Sequence, residues 1–149
     1  SKVLDMMKKG ILVGLGTDGM TSNMFLQMRV AYLLHRLDKK DPRVAFCEAP
    51  KLLLWNNPKI AMKYFPVKLG EISQGAAADI ILVDYDPITP LNVNNFLSHF
   101  IFGLYDAEVD TTICNGKILM QNKKLCKLDS AALAAKTAEL AKKMWKRLR

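Results

Sequence analysis

The sequence predicts a mixed chain, α/β or α+β, on three observations. Between residues 25 and 35, Phe25, Met28, Ala31 or Tyr32, and His35 recur at helical spacing. Residues 78–85 read Ala-Asp-Ile-Ile-Leu-Val-Asp-Tyr, rich in branched side chains that suit a pleated surface. Asn115-Gly116 divides two short β-prone runs, Thr111 to Cys114 and Lys117 to Met120, and Asn-Gly is the preferred pair for a tight hairpin turn because both central residues need positive φ.

Taken in order, the first structured run is Ile11-Leu12-Val13-Gly14-Leu15, short, apolar and bounded by glycine, which predicts a buried strand that ends in the loop Gly16-Thr17-Asp18-Gly19. Ser22 or Asn23 then caps a helix that runs to about residue 37. Asp38 to Pro42 is a polar break. A helix over about 43–54 follows, with Pro50 forcing a break or a new first turn. Another begins at Asn57-Pro58, with Asn as cap and Pro in the first turn, and ends near Phe65-Pro66. Composition changes over residues 67–73, where helical pattern gives way to strand pattern, and the predicted boundary divides the chain into 1–66 and 67–149. After the 78–85 strand come a Pro- and Asn-rich loop and the hairpin. Asp129 or Ser130 caps a closing helix whose stripe is Ala134, Ala138, Ala141, Trp145 and Leu148, widened by Leu133, Leu140 and Met144.

Composition narrows the function. The chain of 149 residues is half hydrophobic and a quarter charged, enough for one ordinary core or two small ones. No apolar run reaches the length of a membrane span, and the first ten residues lack a signal-peptide core. Three cysteines, Cys47, Cys114 and Cys126, form no ligand-spaced pair and fit free thiols in a reducing compartment, so a cytoplasmic protein is expected. Two histidines, His35 and His99, are too few for a self-contained zinc site. The net charge of +8 is concentrated at the end, in Lys136, Lys142, Lys143, Lys146, Arg147 and Arg149. These cations read first as a solvated helix face near a C-terminus, where the helix dipole favours them; anion or nucleic-acid binding is the alternative.

Gly14-Leu15-Gly16-Thr17-Asp18-Gly19 fits the Gly-x-Gly-x-x-Gly pattern between a strand and a helix, the context of a dinucleotide loop. Two points argue against it. Asp18 would set a carboxylate against a pyrophosphate, and Asp38, at the spacing of the ribose-binding acid, ends a helix where a strand end is required.

The same loop carries a different likeness. Leu15-Gly16-Thr17-Asp18-Gly19 resembles the end of the eighth barrel strand in deaminases and chlorohydrolases of the amidohydrolase superfamily. Gly70-Glu71-Ile72 through Gly75 and Ala78 to Asp84 look like that superfamily's entry into a small β-sandwich. Val109 to Lys117 is similar to its Asn-Gly-Lys hairpin, and Ala138 to Trp145 to its last helix. Finer features resemble the selenium-metabolism-associated aminohydrolases: Gly19 to Phe25, Asp84-Tyr85-Asp86-Pro87, Thr89 to Asn92, and Asn95-Phe96 with His99 and Phe102-Gly103.

This resemblance implies the last strand and helices of a (β/α)8 barrel, part of the companion sandwich and a C-terminal helix. It implies a hydrolase that removes an amino group, or cleaves another C–N bond, in a small nitrogen heterocycle. It makes Asp18 the catalytic residue and a metal contact, the base that takes a proton from water bound to zinc or iron in the intact enzyme. The superfamily's remaining metal ligands, a His-x-His pair among them, have no counterpart here. The chain is therefore expected to be the C-terminal part of a longer enzyme, without metal and inactive alone. His35, His99, Asp79 and Asp84 read as structural. Bare strand edges and uncovered apolar faces leave a non-catalytic association module, a homo-oligomer of this chain, as the competing reading.

Overall fold

A computed structural model describes residues 2–148. Its helical part is built around one long helix. α1 (Val3–Lys8) leads through a turn at Gly10 into an irregular segment, residues 11–17, and then into α2 (Met24–Lys39). Asn23 caps α2 by accepting from the Leu26 N–H at 3.0 Å, and Lys40 ends it in the left-handed conformation, φ 51°. Met28, Tyr32 and His35 are buried along one face, as their spacing predicts. Leu4, Ala45, Ala49 and Ile101 complete the core around that face.

The helix expected over 43–54 starts later. α3 (Glu48–Lys51) begins two residues before Pro50, which takes a place in the first turn, where a missing N–H costs nothing. The chain does not break before Asn57. It passes through a π turn, Leu52–Asn56, straight into α4 (Asn57–Ala61), and the Asn57 N–H donates to the Leu52 carbonyl. Asn57 is not a cap: its side chain is committed elsewhere, and the widened π turn carries the helix past Pro58.

The second half holds a four-stranded antiparallel sheet, in the order β1 (Ile80–Asp84), β2 (Glu108–Cys114), β3 (Lys117–Gln121), β4 (Lys124–Leu125). Asn115 and Gly116 turn β2 into β3 with φ of 46° and 75°. Asn122 and Lys123 repeat the device before β4, with φ of 50° and 62°. The Lys123 ammonium bridges Glu108 at 2.7 Å and Asp84 at 3.0 Å, which raises its pKa. Asp79 is structural, its carboxylate accepting from the Asn115 N–H at 2.6 Å.

Between β1 and β2 the apolar run around His99 is helical: α5 (Phe96–Ser98), a π turn (His99–Gly103) and a 3-10 turn (Leu104–Asp106). Ile101 reaches the core of the first half from here, and Phe100 packs edge-on against Phe25 at 5.7 Å. His99 is buried, its Nδ1 2.6 Å from the Tyr85 hydroxyl. The closing helix α6 (Ser130–Arg147) is capped by Asp129, which accepts from the N–H groups of Ala131 and Ala132. Its apolar stripe faces solvent, with Leu140 52% and Trp145 60% exposed.

Candidate active-site loop

Asp18 sits in a loop whose two ends are held by asparagine side chains. The buried strand expected at residues 11–15 does not form: residues 11–17 are half-exposed and pair with no strand among the described residues. Backbone outside helix and sheet still needs partners for its N–H and C=O groups. Two consecutive carboxamides supply them. Asn57 Oδ1 accepts from the Leu15 N–H at 2.8 Å, and Asn57 Nδ2 donates to the Leu15 carbonyl at 2.8 Å. Asn56 Nδ2 donates to the Val13 carbonyl at 2.7 Å, from a side chain only 5% exposed. Gly14 is required here. A Cβ at that position would overlap Asn57 Oδ1 and lie 2.7 Å from Ile60 Cδ1.

At the outgoing end Asn23 does two jobs. Its Oδ1 caps α2, and its Nδ2 donates to the Tyr105 carbonyl at 3.1 Å. The Tyr105 ring is covered by the Arg29 guanidinium, 3.6 Å from the ring centroid. Arg29 Nη1 is buried and has no hydrogen-bond partner among the described residues; the ring face supplies a cation–π contact.

Between these anchors the chain turns sharply, the Met20 N–H donating to the Thr17 carbonyl at 3.2 Å. Asp18 occupies the turn with φ 51°, a conformation that Asp tolerates better than most residues. Its side chain is exposed and makes no hydrogen bond or ion pair among the described residues. The loop thus presents a free carboxylate from a backbone fixed on both sides.

The residues described here do not fit a metal ion by themselves. Among them no three His, Cys, Asp or Glu side chains converge, and Asp18 is the lone carboxylate of its loop. His35 and His99 are not brought to it. His35 lies in the α2 core, where burial lowers its pKa against the opposing charges of Asp38 and Glu48, and His99 is engaged with Tyr85 and Thr89. Cys47, Cys114 and Cys126 are free and exposed. The larger cleft, about 1120 Å³, lies between the helices and the sheet and begins at the loop's outgoing end; Asn23, Leu54, Ile80 and Val109 line it and Asp18 does not. On α6, Lys136 and Lys143 both bridge Glu139, at 3.6 and 2.6 Å, so part of the basic charge is answered within the helix.

Sequence reasoning named Asp18 as the candidate and Asn23 as a capping candidate, and Asn23 does cap α2. It missed Asn56 and Asn57 as partners of the incoming segment. The available signal was two adjacent carboxamides following Leu52-Leu53-Leu54-Trp55, where a buried polar side chain must find a partner.

Comparison with known proteins gives the family. The sequence profile of the amidohydrolase family matches residues 1–119. The chain belongs to that family. It is 38% identical over 150 residues to the 5-methylthioadenosine/S-adenosylhomocysteine deaminase of Acetivibrio thermocellus, an alignment covering 97% of this chain and 34% of the relative. It is 33% identical over 122 residues to the 5'-deoxyadenosine deaminase of Methanosphaera stadtmanae, covering 79% of this chain and 28% of that one. This amidohydrolase chain therefore spans about a third of the length of the curated relatives it matches.

Among solved structures it resembles an adenosine deaminase from Xanthomonas campestris with bound zinc, with a TM-score of 0.77 at 22% identity over 97% of this chain and 34% of that one. It also resembles the zinc-complexed atrazine chlorohydrolase of Arthrobacter aurescens, with a TM-score of 0.68 at 20% identity over 93% of this chain and 31% of that one. The mixed α/β fold with its small antiparallel sheet is thus the fold of part of these amidohydrolases.

Proposed function

We propose that this chain is the C-terminal part of a hydrolytic deaminase acting on the purine ring of an adenosine derivative. In that reaction water adds at the ring carbon that bears the amino group, the C–N bond breaks, ammonia leaves, and a carbonyl remains. A zinc or iron ion would activate the water in the intact enzyme; its other ligands would come from outside the described residues. What this chain contributes is the Asp18 carboxylate, which takes the proton released from water at one of its oxygens. Without those outside ligands the chain alone is inactive.

The observation that carries this reading is an unpaired, exposed carboxylate on a turn anchored at both ends, in a chain of this family. A base is useful only if its backbone does not drift, because small misplacements of a reacting group cost large factors in rate. The deaminase relatives favour adenosine derivatives over the narrower likeness to selenium-associated aminohydrolases. The division at residues 66 and 67 into a barrel part and a sandwich part fits the change from helices to sheet. The three free, exposed thiols fit a reducing, cytoplasmic setting. The described residues include no helix long and apolar enough to cross a membrane.

The test is ammonia release by the intact protein, loaded with zinc, from 5'-methylthioadenosine, S-adenosylhomocysteine and 5'-deoxyadenosine. Turnover of at least one supports the proposal. Turnover of none, in a folded and metal-loaded protein, refutes the substrate class. A second reading, association through apolar faces, is favoured by the exposed stripe of α6. Light scattering that grows with concentration, and falls on replacing Leu140 and Trp145 by Ser, would support it.

A further inference from the structure

We infer that Asn57 is a positioning residue for Asp18, its carboxamide standing in for the backbone of a neighbouring strand at Leu15. The inference rests on the reading of Asp18 as the proton acceptor.

Geometry carries the argument. In an extended chain, the N–H and C=O of one residue point to the same edge, where a neighbouring strand would meet both. At Leu15 both groups are met, at 2.8 Å each, by the two ends of a single side chain. One bond would leave the segment free to pivot. Two bonds to one planar carboxamide fix the peptide planes on both sides of Leu15. Val13, the next residue on that edge, is held by Asn56 at 2.7 Å. Asp18 is only three residues further on, and the turn between Thr17 and Met20 leaves little slack.

The helix is shaped for this task. Consecutive residues on an α-helix point about 100° apart, so two neighbours cannot both face one edge. Asn56 closes the π turn and Asn57 opens α4, and from this junction the two side chains reach Val13 and Leu15 on the same segment. Gly14 leaves the room that the carboxamide fills, since a Cβ there would overlap it. These features together cost the helix a regular turn and the segment a side chain. Fixing the backbone ahead of Asp18 gives them a purpose.

The test compares Asn57→Ala, Asn57→Asp and Gly14→Ala in the intact, metal-loaded protein, with Asp18→Asn beside them. Asn57→Ala is expected to lower kcat on the order of 10–100-fold, the scale of a misplaced catalytic group, with KM held within about twofold. Amide exchange should rise over residues 11–17 and stay unchanged around Leu26, whose N–H is held by Asn23. Asn57→Asp keeps the acceptor for the Leu15 N–H but sets a carboxylate oxygen against the Leu15 carbonyl, so its kcat should fall at least as far as in Asn57→Ala. Gly14→Ala should reproduce the Asn57→Ala pattern; if it fails to fold, the two Asn57 variants still decide.

Wild-type kcat in Asn57→Ala with exchange raised over 11–17 overturns the inference, because the clamp would exist and position nothing. A loss spread over kcat, KM and exchange throughout the protein also overturns it, since Asn57 would then serve stability alone. Near-normal kcat in Asp18→Asn refutes the proton-acceptor reading itself, whatever the Asn57 variants show.

Discussion

Replacing Gly103 by Ala should destabilise the chain through one identifiable clash. A Cβ at residue 103 would overlap the Tyr85 hydroxyl and lie 2.8 Å from Tyr85 Cζ. Tyr85 cannot retreat without cost, because its hydroxyl lies 2.6 Å from His99 Nδ1 and its ring packs edge-on against the imidazole at 5.8 Å. Moving the ring breaks that hydrogen bond, about 1 kcal/mol, and leaves a buried His99 nitrogen short of a partner. Forcing an extra methyl into a packed site adds about 1–3 kcal/mol. The expected loss is therefore about 2–4 kcal/mol, or roughly 4–16 °C in Tm for a chain of this size. Urea denaturation of wild type, Gly103→Ala, Tyr85→Ala and the double variant measures it. The reasoning predicts that Gly103→Ala costs less than about 1 kcal/mol once Tyr85→Ala has removed the obstacle. An equal cost in both backgrounds would refute it.

Met28→Ala empties a fully buried site in the core and should cost about 2–5 kcal/mol in the same assay; a cost under 1 kcal/mol would mean that this core is not close-packed. Burial lowers the pKa of His35, so between its folded and unfolded values, the latter near 6.5, the unfolded chain binds more protons. Stability should fall as pH drops below about 6.5, and His35→Gln should flatten Tm between pH 8 and pH 5. Asp41 is held down to about 2 by hydrogen bonds from the Arg43 side chain and backbone N–H, so its contribution is present above its unfolded value and is lost as pH falls toward 2. Following the Asp41 carboxyl resonance with pH should give a midpoint well below the ordinary carboxylate range, and Arg43→Ala should return it there.

Much of the fold was legible because it depends on local rules. The buried face of α2 follows from spacing alone, and the hairpin from Asn115-Gly116, whose positive φ values few other pairs accept. Reading failed where the partner was distant in sequence. An apolar run bounded by glycine suggests a buried strand at residues 11–15, and sequence pattern could not reveal that carboxamides 42 and 43 residues away would bind this backbone instead. Asn57 before Pro58 has the form of a helix cap, but its backbone is already helical and its side chain is bound to Leu15. The apolar run containing His99 gave no sign of a π turn. The stripe of α6 was visible, whereas periodicity says nothing of what covers it, and in this structure it faces solvent.

The central claim is that Asp18 is the proton acceptor of a deaminase, and one measurement reaches it directly. The intact, zinc-loaded protein and its Asp18→Asn variant are compared in the conversion of the adenine ring to hypoxanthine, under conditions where both bind the metal equally. The account predicts that kcat in the variant falls on the order of 10²–10⁴-fold, the usual weight of a general base. Turnover within a few-fold of wild type would contradict it.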